Sequence, residues 1–160
     1  MGGRLCRLRG DERGFSLPEL MIVILIMGIV FGIASPTFFG AIESRRVDSA
    51  TNQVLADLRL AQSQATNRLI ETTFDVPSAN STTYTIEADG NTDTRTLPGD
   101  DQGTPKTKIV VATTIVFKPT GEATTPAGDP AGDITVAALD GEPVHTIEIN
   151  PITSRLRIVN

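Results

Sequence analysis

The chain has 160 residues, enough for one ordinary domain, with a mean hydropathy near zero and a formal charge of −5 from 14 basic and 19 acidic residues. Six Phe, one Tyr and no Trp leave a soluble core to be built mostly from Ile, Val, Leu and Ala, which keeps it small. A single Cys6 and a single His145 exclude an intrachain disulfide framework and a Cys/His zinc site. A Ser-His-Asp or Cys-His relay would rest on His145 alone, which sits in the strand-like alternation Val144-His145-Thr146-Ile147-Glu148-Ile149. The composition therefore points away from an enzyme and implies no cofactor.

Arg4, Arg7, Arg9 and Arg13, softened by Asp11 and Glu12, make a basic leader. After Gly14-Phe15-Ser16-Leu17-Pro18-Glu19, residues 20–34 form a run of fifteen without one charged or hydrogen-bonding side chain. Basic residues before an apolar run hold that end on the cytoplasmic side, which places the remainder outside. An ordinary secretory signal would end in a small-x-small cleavage site, and Gly32-Ile33-Ala34 and Ile33-Ala34-Ser35 both fit that pattern. Against it stand Glu19, an acid carried to the edge of the apolar run, and a helical pattern that continues beyond it.

Pro36 should kink this helix by removing a backbone donor. Past it Phe39, Ile42, Val47, Ala50, Val54, Leu58, Ala61, Ala65 and Leu69 recur at three- and four-residue steps, with Glu43, Arg45, Arg46, Asp48, Asp57, Arg59 and Arg68 between them. That spacing predicts one buried face. From Ser16 to Leu69 the chain reads as one kinked helix of about 80 Å, half in lipid and half in water.

The period then changes. Segments 72–76, 83–88, 109–117, 134–138, 144–149 and 155–159 are β-branched, mostly alternating, and separated by Gly, Pro, Asp and Asn clusters. They predict a small antiparallel sheet packed on the amphipathic half of the helix, an α+β head. Ile109, Val111, Ile115 and Phe117 fall on one face of a strand expected to be central. Asn150-Pro151-Ile152-Thr153 reads as a hairpin turn, and 98–107 and 120–132 as exposed loops.

The residues Arg13-Gly14-Phe15-Ser16-Leu17-Pro18-Glu19-Leu20 with the apolar run behind them resemble the class III signal of type IV prepilins and type II secretion pseudopilins. The resemblance implies cleavage between Gly14 and Phe15 by a prepilin peptidase, N-methylation of Phe15, and retention of the apolar segment as a filament-forming helix. Gly28 and Pro36 match the family's helix-loosening glycine and proline. The segments Ile115-Val116-Phe117-Lys118-Pro119-Thr120-Gly121, Ile134-Thr135-Val136 and Thr153-Ser154-Arg155-Leu156-Arg157-Ile158 are similar to the C-terminal domain of H-type minor pseudopilins and related minor pilins. The implied organisation is a leader over 1–14, a transmembrane assembly helix over 15–36, an amphipathic helix over 37–70 and a β head over 71–160. The implied partners are the prepilin peptidase, other pilin or pseudopilin subunits, an inner-membrane assembly platform and membrane lipid.

Glu19 can be argued on physical grounds too. A carboxylate at the centre of a membrane helix costs roughly 2.5 to 3.5 kcal/mol, so it calls for a partner. Cleavage creates one, because the new α-amino group of Phe15 on a neighbouring subunit is a cation at the same depth. Gly28-Ile29-Val30-Phe31-Gly32 adds a small-xxx-small face for close helix approach.

Two further candidates lie in the head. Arg155 and Arg157 would share one strand face and could reach phosphate, as in DNA-uptake minor pilins with a Gly-Arg-x-Arg motif, from which Ser154-Arg155-Leu156-Arg157 departs at the glycine. Removal of the leader takes four Arg and two acids and leaves 10 basic and 17 acidic residues, net −7, which disfavours nucleic acid. Asp89-Gly90-Asn91-Thr92-Asp93, with Asp100 and Asp101, offers alternate oxygen ligands for Ca²⁺, but Thr94 stands where an EF-hand loop wants Gly and no Glu closes it. A polar hairpin turn is the better reading, and no metal site is assigned.

Overall fold

The structure, a computed structural model, describes residues 15–100 and 102–159, and within them the side chains of all but residues 35–39. It divides into two compact units, one ending at Phe39 and one running from Gly40. A single helix, α1 (Leu17–Arg68), contributes to both. Its first turn closes with the Leu20 amide donating to the Ser16 carbonyl at 3.2 Å. Pro18 falls in that turn, where a missing donor costs little, and Glu19 there and Arg68 in the last turn complement the helix dipole. The helix continues through Pro36. It stops where Leu69 adopts a left-handed φ of 57° and the Ile70 amide bonds back to the Ala65 carbonyl, a Schellman closure. Leu69 is consequently 74% exposed instead of completing the buried face.

In the first unit the stretch Leu17–Ala34 has a mean hydropathy of 2.5, is long and apolar enough to cross a membrane, and buries none of its residues. In the second, Val47, Ala50, Val54, Leu58, Ala61 and Ala65 have no exposed surface, so the three- and four-residue spacing does mark the inward face. Thr51 and Leu55 widen it.

Two antiparallel sheets meet that face. One has the order β3-β2-β1-β5-β6, from β1 (Thr72–Val76), β2 (Thr83–Ala88), β3 (Asn91–Thr96), β5 (Thr113–Phe117) and β6 (Ala123–Thr124). The other has the order β4-β7-β8-β9, from β4 (Thr107–Ile109), β7 (Ile134–Ala138), β8 (Val144–Ile149) and β9 (Leu156–Val159). In β1, Thr72, Phe74 and Val76 point inward, and Phe74 lies opposite Ile86 on one side and Ile115 on the other. Phe74 and Tyr84 stack with centroids 4.9 Å apart. Ile109, Phe117, Ile134, Val136, Ile147 and Ile149 complete one continuous core with the helix.

Besides the segment 120–132, expected as an exposed loop but holding β6 with Ala123, Thr124 and Ala131 buried, three details differ from the sequence expectation. There are two sheets instead of one, because the segment expected as a single central strand over 109–117 is split. The Ile109 and Val110 amides donate to the carbonyls of Ser81 and Thr135, after which the chain leaves that sheet and re-enters the other as β5. Val111, at the corner, is 51% exposed. The third difference is β3, which has no large apolar residue and exists because Asp89 and Gly90, with φ of 54° and 74°, form a two-residue primed turn whose twist folds Asn91–Thr96 back on β2.

Candidate functional site

Among the described residues, the side chains of the apolar stretch Leu17–Ala34 are all left unburied. Glu19 stands exposed among them near the helix start, and Phe15, the residue after the expected scissile bond, is 79% exposed. A Cβ built on Gly28 or Gly32 meets no atom within 4 Å. Packing among the described residues therefore gives neither position a reason to be glycine, whereas a closely approaching second helix would. The leader, with Cys6 and Gly14, lies outside the described residues, as does the side chain of Pro36.

The head holds its half of α1 with polar clamps as well as with the core. Buried Tyr84 donates its hydroxyl to Asp57 Oδ2 at 2.6 Å, and Gln53 Nε2 donates to the same hydroxyl and to the Thr96 carbonyl, each at 3.2 Å. Burial first, and then the bond to the Asp57 carboxylate, push the Tyr84 phenol well above its ordinary range. Gln62 Nε2 donates to the carbonyls of Gly121 and Ser154, and Arg59 to that of Leu156. His145, on β8, places Nε2 2.9 Å from Asp48 Oδ1 on the helix. This is a strand histidine tied to a helix carboxylate, with no nucleophile hydrogen-bonded to it among the described residues.

Sequence reasoning missed the Tyr84–Asp57 pair. The signal was present, since Asp57 falls beside Val54, Leu58 and Ala61 on the buried stripe and a carboxylate there needs a donor.

Arg155 and Arg157 are both exposed, flank buried Leu156, and line one shallow depression with Asn150 and Thr153. Arg157 is already engaged, through Nε and Nη2 to Glu148 Oε2 at 2.9 and 2.7 Å. The Asp89-Gly90 segment is the β2–β3 turn, and Asp93 pairs with Arg95 at 2.8 Å. Asp100 lies apart from them. Its Oδ1 accepts the amides of Gln102 and Thr104, and the Thr104 bond is the main reason its carboxyl is held below the usual range, helped by Lys106. No group of three or more metal-ligating side chains occurs among the described residues.

A bare apolar helix at the N-terminus continues into the helix of an antiparallel β head. That arrangement defines an α+β pilin-like protein, anchored in the membrane by one span. The model of the Type II transport protein GspH family matches residues 50–153, and that of the prokaryotic N-terminal methylation motif matches residues 9–35. The chain belongs to the GspH family, with a pilin-like role in type II secretion. No curated protein and no solved structure matches it.

Proposed function

We propose that the chain is a minor pseudopilin of a type II protein secretion system, which acts by assembly into the pseudopilus after processing. The observation that carries this reading is the wholly exposed apolar helix Leu17–Ala34 with Glu19 in its first turn, a surface that only lipid or other helices can cover. Prepilin peptidase cuts between Gly14 and Phe15 on the cytoplasmic face, where the basic leader holds that end, and Phe15 is N-methylated. The head then stands on the outer face of the inner membrane. Residues 15–36 form the assembly helix, 37–70 the head helix and 71–160 the β head.

Methylation leaves the Phe15 amine cationic. Glu19 pairs with the amine of a neighbouring subunit, so leaving lipid for the filament relieves an unpaired charge and sets the stagger between helices. Gly28 and Gly32 allow close helix approach, and Gly28 and Pro36 let the helix loosen within the filament. Neighbouring pseudopilins and the inner-membrane assembly platform are the partners, and no catalytic step is assigned to the chain.

The test is the intact mass of membrane-extracted protein together with the fate of Glu19→Ala. The mass should correspond to a chain starting at Phe15 and one methyl group heavier. Glu19→Ala should be processed and inserted but absent from sheared filaments. A mature N-terminus at Ser35 or later, or normal incorporation of Glu19→Ala, would refute the reading. A DNA-uptake filament is the rival. It would need Arg155 and Arg157 to neutralise phosphate, although Glu148 already pairs with Arg157 and the processed chain carries −7.

A further inference from the structure

We infer that the open edge of β9 is a docking site for an extended, acidic segment of a neighbouring subunit, added as a fifth strand to the β4-β7-β8-β9 sheet. The identity of the neighbour rests on the filament reading above; the strand addition rests on the following geometry.

Four sheet edges exist among the described residues; two are blunted and a third carries no excess charge. At β4, Ser81 bridges Ile109. Only two residues long, β6 has its Ala123 carbonyl taken by the Ala131 amide. The β3 edge is exposed, but its one cation, Arg95, is already paired with Asp93, so it offers no excess charge to a partner. The remaining edge, β9, ends its sheet and has a defined open side. The Arg155 carbonyl accepts from the Asn150 amide, so by the alternation of an antiparallel pair Arg155 and Arg157 bond toward β8, while Leu156 and Ile158 point their backbone groups away. The Leu156 carbonyl points that way, and its one contact there is long, 3.4 Å from Arg59 on the helix, so an incoming strand amide would have to displace that guanidinium.

The charge around this edge is cationic on an acidic protein. Arg59, Arg155 and Arg157 border it, and Glu148 is the one carboxylate paired with any of them among the described residues. Outward backbone groups supply affinity for an extended peptide, and the guanidinium groups select carboxylates along it. Nucleic acid would use the cations but not the ladder.

The experiment uses the full chain in detergent micelles and a fluorescent peptide of about eight residues that alternates Glu and Val. Anisotropy should show binding that weakens with salt and falls about tenfold in Arg155→Glu, an exposed change outside the core. Methylating alternate backbone nitrogens of the peptide should abolish binding in one register and spare it in the other. Equal binding of both methylated registers, or no effect of Arg155→Glu, would overturn the proposal. So would an oligonucleotide that displaces the peptide more tightly than the peptide binds. None of these outcomes depends on cleavage at Phe15 or on Glu19, so this inference and the filament reading fail separately.

Discussion

Removing one oxygen from Tyr84 tests how the head grips its helix. Tyr84→Phe leaves the ring stacked on Phe74 and deletes the bond to Asp57 Oδ2 at 2.6 Å and the one accepted from Gln53 at 3.2 Å. A hydrogen bond to a charged group is worth about 1.5 to 3 kcal/mol net. Asp57 is 9% exposed, and its side chain accepts from no other donor among the described residues. The loss should therefore lie in the upper part of that range, about 2 to 3 kcal/mol. For a unit of this size that lowers the head's Tm by roughly 6 to 12 °C, followed by circular dichroism on the full processed chain in micelles. Tyr84→Phe combined with Asp57→Leu should recover part of the loss, because removing both partners leaves no unpaired group, and a double-mutant cycle should show coupling above about 1 kcal/mol. A Tyr84→Phe cost below about 0.5 kcal/mol, or strictly additive single changes, would refute the reasoning. The same pair sets an alkaline signature. Tyr84 is the only tyrosine and there is no tryptophan, so phenolate absorbance reports this group alone. Its folded pKa is raised, so its contribution is complete below the unfolded value of about 10 and is lost as pH climbs toward the folded value. Phenolate should appear only as the head unfolds.

Two loop changes extend the test. A Cβ on Gly99 would lie 2.5 Å from the Thr104 carbonyl oxygen, a backbone atom that cannot swing aside, so Gly99→Ala should open the 99–105 loop and cost about 1 to 3 kcal/mol by denaturant titration, whereas Gly132→Ala, with open space around it, should not. Asp100 has a lowered carboxyl pKa, so its hold on the loop is present above the unfolded carboxylate range and is lost as pH falls through the folded value. Amide exchange at Gln102 and Thr104 should accelerate in acid, and in Asp100→Ala at neutral pH, with the global unfolding transition unchanged.

What could be read from the sequence was local and periodic. The helix face from Val47 to Ala65 was legible because a buried helix needs an apolar side chain every three or four residues, and five of the six strand segments survive nearly intact for the corresponding reason of alternation. Leu69 fits the spacing but not the geometry, since the Schellman closure ends the helix one residue before it. The break inside 109–117 left no mark because Val110, Val111 and Ala112 suit a strand as well as their neighbours do. What differs is that the Ile109 and Val110 amides bond to Ser81 and Thr135, partners distant in sequence. In β3 there was no apolar residue to register, although Asp89-Gly90 was a hairpin signal in its own right. The processing motif was legible because it is contiguous. The Tyr84–Asp57 and Arg157–Glu148 pairs join residues 27 and 9 positions apart, and no local pattern specifies them.

The strand order also dictates a timetable. The segments from α1 through β3 are contiguous, so the helix and a three-stranded meander can form as soon as they emerge, with β1 at the meander's outer edge. That edge waits for β5, some forty residues later, and much of the apolar stripe on α1 waits longer still, for the strands beyond Ile134. Until then a nascent head carries a bare strand edge and an uncovered greasy face. Whatever escorts this chain during synthesis must shield the edge for about a quarter of the polypeptide's length, and the apolar face for about half, from other half-made copies.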